Sequence, residues 1–528
     1  MFASSKRQLR LVKSASSLNN VLKTNNIPSD LEKTQLESLL SDAQTELATF
    51  KDSHATHKIP DFLGQLIFAC KSALSTFRRL PPEVLLVIFS FTLPDMSQVR
   101  LLEHPREVMR VNSSPRILAQ VSSRWRHIVT PYQPLWSHIF IQFGAPGSVP
   151  PSLVTLQLQL ERSGSHPLDI YFRDDYDWSS DGAKKLIRLL ISHSHRWRDI
   201  CFFMKYDSLH LMEQVKGRTP ILQTMHLGPL GGNRHGVIRA FEESPNLHQV
   251  IYTHESGDLC LPWSQLTHLR IPHIDFDILR QMANLLELDC KVIQGPVQDV
   301  YLPHLTRLRF SPERSRIERI RAPKLESLDV YGSAEPVFRL YGLERTDRAH
   351  LVDLDMLTLF IGRSGCVLLS LSVTELSLEH AAVESLGNFV ASIPSLLRLE
   401  LHRCEVNWDM LTDVIAPENA PCRLPGVRHV VFTLREYPEE PPYDSMPSLA
   451  IKELPELPYC VPYLLESLAG LPRDGAPSLV SAGLFNAKIC AEDEWRISRL
   501  VQHGVKIFRD NSRRRRLVGA SSPRRKIV

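Results

Sequence analysis

The chain is poor in cysteine: nine in 528 residues, the closest pair, Cys404 and Cys422, lying 18 apart, with no C-x-x-C anywhere. That spacing excludes a zinc ribbon and a disulfide framework. Scattered thiols suit a reducing compartment, so the expected location is cytoplasm and/or nucleus. Long apolar runs are missing as well; the longest, Val84 to Phe89, falls far short of the roughly 18 residues that a membrane helix needs, and no membrane contact is expected. G-x-S-x-G, H-E-x-x-H, G-x-x-x-x-G-K-S/T and G-x-G-x-x-G are all absent, so the sequence offers no catalytic residue, cofactor site or metal site and reads as a non-enzyme. His193 and His195, and the acidic group Asp174, Asp175 and Asp177, read as surface residues. Acidic residues are missing from the first 29 positions, which carry Lys6, Arg7, Arg10, Lys13 and Lys23 among serines. A disordered leader over 1–29 explains that composition, with a mitochondrial transit peptide as the alternative.

What is present is close to globular average: 43% apolar and 23% charged residues, enough to bury a core, with a length that suggests about three to four domains. The net charge of +4 is a property of the end of the chain. Residues 509–528 hold eight Lys and Arg against Asp510, a local +7, so the other 508 residues sum to −3. A body near neutrality lacks the broad positive face that nucleic-acid binding requires, so no nucleic-acid partner is expected. Arg513, Arg514, Arg515 and Arg516, followed by Arg524, Arg525 and Lys526, have the spacing of a bipartite nuclear import signal; a solvated basic tail is the equal alternative.

Pro28, Ser29 and Asp30 signal a helix start, and Leu36, Leu40, Ala43, Leu47 and Phe50 follow at spacings of four and three. The same spacing returns at Leu63, Ile67, Cys70, Leu74 and Phe77, so 30–79 reads as a helical hairpin whose coiled-coil-like stripes pack on each other. A sharp helix start follows at Leu80-Pro81-Pro82-Glu83, with Leu85, Ile88 and Phe89 on one side. Val121, Trp125, Ile128 and Val129 line a later helix, and Pro134-Leu135-Trp136 closes the block.

These residues resemble the F-box family, whose motif opens Leu-Pro-x-Glu-Ile/Val-Leu-x-x-Ile-Phe/Leu and ends Val-Cys-x-x-Trp with a following Leu-Trp. Ser122 stands where cysteine is usual, and 91–120 carries an insertion of the kind found in the large F-box families of mushroom-forming fungi. The resemblance covers 80–140. It implies docking on the Skp adaptor, and through it on a cullin, by way of Leu80, Pro81, Val84, Leu85, Ile88, Phe89, Val121, Trp125 and Trp136.

From residue 150 to 508 an apolar-x-x-apolar-x-apolar template recurs eleven times, from Trp197/Ile200/Phe202 to Val427/Val430/Phe432, at intervals of 19 to 31. It resembles leucine-rich repeats, each unit giving one short parallel strand, with a generic α/β fold as the alternative. The ninth position, where Asn or Cys serves the turn, is met only by Cys404. The expected fold is therefore α/β, an N-terminal helical hairpin and three-helix F-box followed by an irregular leucine-rich-repeat solenoid and a basic tail over 509–528. The expected function is the substrate-recognition subunit of a Skp-cullin-F-box ubiquitin ligase, with an unknown protein substrate on the repeats. The alternatives are a non-enzymatic nuclear scaffold acting outside a ligase and an enzyme hidden in the repeat region.

Overall fold

The computed structural model describes residues 2–50, 58–93, 96, 115–143, 152–174, 181–229, 236–254, 259–296, 298–312, 316–332, 355–378, 380–416, 424, 426–434, 457–458, 460–469, 479–485, 487 and 489–509. The chain divides into two compact units, Met1–Val99, Arg106–Ile139 and Val154–His166 in the first, Arg100–Pro105, Phe140–Leu153 and Pro167–Val528 in the second. Among the described residues no helix is long and apolar enough to cross a membrane, and the eight described cysteines are free.

The first unit is helical. Its opening helices α1 (Phe2–Ser17) and α2 (Asn19–Lys23) correct the expected disordered leader. Leu11, Leu18 and Val21 enter a core with Leu36, Leu39 and Ala43 of α3 (Asp30–Phe50) and Leu63, Leu66 and Cys70 of α4 (Lys58–Leu74). Charge composition hid this, because three apolar residues suffice to dock a short basic helix. Ser29 and Glu32 start α3 as a capping box: the Ser29 N–H donates to Glu32 Oε2 at 2.8 Å and the Glu32 N–H donates to Ser29 Oγ at 3.4 Å.

Helix α5 (Pro82–Ser90) begins where Pro82 needs no intrahelical partner for its missing N–H. After it come α6 (Pro115–Val121), α7 (Ser123–Val129) and the single turn α8 (Gln133–Trp136). Leu85, Phe89, Val129, Leu135 and Trp136 form their common core. Ser122 has its own task here: its Oγ accepts from the Trp125 N–H at 3.1 Å and caps α7. Trp125 lies 4.6 Å from the Phe89 ring, and the Trp136 indole N–H donates to the Val129 carbonyl at 2.9 Å. Helix α9 (Leu153–Arg162) brings Arg162 4.5 Å over the Trp136 ring.

The second unit is built on one sheet of 14 strands whose spatial order is the chain order. They are β1 (His138–Phe143), β2 (Leu168–Asp174), β3 (Trp197–Met204), β4 (Thr224–Pro229), β5 (Gln249–Tyr252), β6 (His268–Asp275) and β7 (Glu287–Gln294). Then follow β8 (Arg307–Phe310), β9 (Ser327–Tyr331), β10 (Ser370–Thr374), β11 (Arg398–His402), β12 (His429–Thr433), β13 (Ser481–Phe485) and β14 (Lys506–Arg509). Pairing is parallel from β2 to β14. The division between the two units falls within β1.

This continuous parallel sheet overturns the expected architecture: the chain is α/β, but not a helical F-box followed by a leucine-rich-repeat solenoid. Regular apolar spacing dictates which residues pair across neighbouring strands, and the fourth and sixth template positions do form stacked inner rows, Met225–Val250–Leu269–Leu288–Leu308 and Leu227–Tyr252–Ile271–Cys290–Phe310 among them, nearly all fully buried. It does not dictate the return path. Between β5 and β9 the returns include single 3-10 turns such as Trp263–Gln265 and Ile317–Arg319. Elsewhere they carry full helices: α10 (Asp181–Ser192), α11 (Asp355–Ser364), α12 (His380–Ala391), α13 (Trp408–Ile415), α14 (Cys460–Ala469) and α15 (Ala491–Gln502). Without Asn or Cys at the ninth position of each unit, nothing makes the turns alike. Cys404, the one such residue, is buried and its thiol donates to the Val373 carbonyl at 3.3 Å; burial raises that thiol to about 11.

Two template matches fail locally. Leu357 and Leu359 lie in α11, an amphipathic helix that leaves Leu359 exposed. Leu376 and Leu378 follow β10, whose register instead uses Leu371 and Val373.

Because Arg307 and Leu308 are successive residues of β8, they point to opposite faces. Leu308→Ala should lower stability by about 2–5 kcal/mol, whereas Arg307→Ala should shift it by no more than about 0.5 kcal/mol. Urea titration of both variants checks the assignment, and equal losses would show it to be wrong.

Candidate interaction surfaces

The nine residues singled out for adaptor docking separate by burial. Leu85, Phe89 and Trp136 are sealed in the helical core, so their side chains hold the unit together and offer nothing to a partner. Leu80, Ile88 and Trp125 are half-buried against that core. Pro81, Val84 and Val121 are exposed. Sequence reasoning missed their neighbours: Val87 (57% exposed) and Phe91 (84%) extend the Val84 stripe at spacings of three and four, and Ile117 precedes Val121 by one helical turn on α6. Arg124 fixes the start of α5 by donating to the Arg78 and Leu80 carbonyls, and the buried Arg78 guanidinium donates to the Val21 carbonyl at 2.9 Å. The import-signal residues Arg513 to Arg516, Arg524, Arg525 and Lys526 lie outside the described residues, as do Asp175 and Asp177.

The second surface is the open face of the sheet. Parallel sheets are normally covered on both faces; here the third and fifth template positions are polar along much of the sheet and leave one face accessible. The fifth positions give a ladder of alternating sign, Arg270, Asp289, Arg309 and Asp329, partnered strand to strand. Arg270 Nε meets Asp289 Oδ2 at 2.9 Å, and Arg309 Nη1 approaches the same oxygen at 3.7 Å. Arg309 also lies 5.1 Å from the Tyr331 ring centre. A shallow cavity of about 360 Å³ opens over this ladder, with Gln249, His268, Glu287 and Arg307 on its other side. Its charges largely cancel one another. Burial raises the Asp329 carboxyl above its ordinary value, although Arg309 and Arg307 pull the other way.

Further along the same face, Glu400, His402 and Thr433 form a hydrogen-bonded chain. The His402 Nε2–H donates to Glu400 Oε2 at 3.1 Å, leaving Nδ1 to accept from the Thr433 hydroxyl at 3.0 Å. Carboxylate, imidazole and hydroxyl in this order activate nucleophiles in hydrolases. Here the adjacent amides are spent in the sheet: the Arg403 N–H donates to the Thr433 carbonyl and the Leu434 N–H to the Phe485 carbonyl, so neither is left to hold an oxyanion. The chain is thereby a cross-strand brace. It sits beside Glu375 and Arg403, whose backbones take φ of 54° and 53° and whose side chains pair at 3.1 Å.

The remaining residues of interest gather no chemistry. His193 and His195 have ring centres 6.3 Å apart, and burial together with Arg196 and His195 lowers the His193 imidazole. Cys201 Sγ and His226 Nδ1 lie 3.6 Å apart, both closed from solvent. Among the described residues no group of three or more His, Cys, Asp or Glu is placed to hold a metal ion.

The Asp329 environment yields a pH test. A carboxyl raised in the folded state binds its proton more tightly there than in the unfolded chain, so its ionised form costs stability once pH exceeds the raised value. Asp329→Asn should therefore be at least as stable as the parent at pH 7. That advantage should shrink as pH falls through the raised value towards 3.8, and thermal unfolding at several pH values reads it. A variant less stable at pH 7 would show that the two arginines outweigh burial.

Compared with known proteins, the chain matches no protein-family model and no curated protein.

Proposed function

We propose that the chain is the substrate-recognition subunit of a Skp-cullin-F-box type ubiquitin ligase, docking the Skp adaptor through α5 and α6 and presenting the open face of the sheet to a target protein. One observation carries this reading: the segment that resembles the F-box motif leaves Val84, Val87, Phe91, Ile117 and Val121 in solvent on two short helices whose opposite sides are fully packed. Apolar stripes of this kind are stabilised by a partner surface. Chemistry belongs to the other subunits, and this chain contributes proximity by holding a target near the transferring enzyme. A scaffold acting outside a ligase would use the same stripes, but would not bring a cullin with its partner.

The test contrasts neighbours on α5. Val84→Asp with Val87→Asp should reduce capture of the purified Skp adaptor by tenfold or more at unchanged melting temperature, because both side chains face solvent before binding. Leu85→Asp, between them, should instead unfold the helical unit, since it would place an unpaired carboxylate among Phe89, Leu135 and Trp136. Undiminished capture by the double variant would exclude docking through this face. Capture of the adaptor without any cullin in cell extracts would favour the scaffold.

A further inference from the structure

The third template positions form a row of their own along the open face. In strand order from β7 it reads Glu287, Arg307, Ser327, Ser370, Arg398, His429, Ser481 and Lys506, each a direct Cα partner of the next. After Glu287 the row contains no acid: seven consecutive strands offer cations, an imidazole and hydroxyls only. Every one of these seven residues is at least partly exposed. Arg307 touches Glu287 at 3.0 Å and Arg398 touches Glu400 at 3.3 Å, yet their side chains stay 53% and 46% exposed. In the parallel row one step along the strands, Asp329 and Glu400 are the acids of β8 to β14, set against Arg309.

We propose that this row binds an extended acidic segment of a partner protein, rich in Asp and Glu, laid across β8 to β14. The proposal deepens the reading above by giving the target's chemistry. Neighbouring parallel strands are about 4.8 Å apart, so six steps span roughly 29 Å, the length of about nine extended residues. The cations are spaced singly: Arg307 and Arg398 are three strands apart, and Lys506 is three strands beyond Arg398. Isolated cations suit single carboxylates. A phosphate dianion is held best by several converging donors, which this spacing does not provide. Between the cations, Ser327 and Ser370 supply hydroxyls for peptide carbonyls, while Ser481 is engaged with His429 Nδ1 at 2.8 Å.

Fluorescence anisotropy with the full chain tests the proposal. The probes are a labelled nine-residue Asp/Glu peptide, its Asn/Gln counterpart, a phosphoserine peptide of equal length with no Asp or Glu, and a nine-nucleotide oligouridine. The acidic peptide should bind at least tenfold tighter than the other three and weaken with salt. Arg398→Gln with Lys506→Gln should lower its affinity at least tenfold at unchanged melting temperature, whereas Lys185→Gln on α10 should change nothing. Acidic and amide peptides of equal affinity would overturn the proposal, as would preference for the phosphopeptide or for oligouridine. None of these readouts involves the Skp adaptor, so failure here leaves the α5 reading standing, and failure of adaptor capture leaves peptide binding to be judged separately.

Discussion

The second unit depends on one constraint, the in-register parallel pairing of strands laid down in chain order. A parallel strand cannot be joined to its neighbour by a tight hairpin, so every step needs a return segment, and that segment must cover the apolar rows it leaves behind. The contact of Trp408 on α13 with Phe432 of β12, ring centres 5.3 Å apart, is one such cover. Once the apolar fourth and sixth positions are buried, side-chain alternation leaves the third and fifth no choice but the opposite face. The chemistry of that face follows from the same register that builds the core. Charged residues there become neighbours across strands even where 20 or more residues separate them in the chain.

The two surfaces described here differ in physical kind. On α5 and α6 the offer is apolar area with little polar patterning, which rewards close packing and tolerates salt. On the sheet the offer is charge in a row, which rewards complementary charge and a matching extended shape, and is weakened by screening. On the reading proposed above, adaptor docking would draw on the first. On the same reading, choice among targets would draw on the second, because electrostatic patterns reject partners as effectively as they attract them. The alternating ladder Arg270, Asp289, Arg309, Asp329 is different again. Its groups largely satisfy one another and work to hold neighbouring strands together.

Much of this was legible in the sequence where period and turn chemistry agreed. The capped start of α3, the Pro82 start of α5 and the strands carrying Met225, Leu269, Leu308, Leu328 and Leu399 all follow from local spacing. The errors have physical causes. Helices α1 and α2 were masked by their basic, serine-rich composition, although Leu11, Leu18 and Val21 already marked an apolar side. The template misplaces β10 because Leu371/Val373 and Leu376/Leu378 both satisfy a leucine-dominated pattern, and only pairing with β9 and β11 chooses between them. Strands β1 and β14 lie outside the repeating template, each an isolated run at an edge of the sheet. The F-box-like motif mixes residues that hold the fold with residues left in solvent; burial alone separates Leu85 from Val84. The basic row was visible only after alignment by register, as the residue preceding each fourth-position apolar.

The agreement between chain order and spatial order also bears on how much length each return can carry. Each strand pairs only with the strands just before and just after it, so a segment added between two strands alters neither register. Lengthening a return costs little in closure entropy, about 0.6 kcal/mol for each doubling. The long intervals separating β9 from β10 and β12 from β13, against the short ones from β5 to β9, show returns of very different length serving one register. Unequal spacing along this chain is therefore compatible with an unbroken register, because the paired rows and not the returns keep the count of strands.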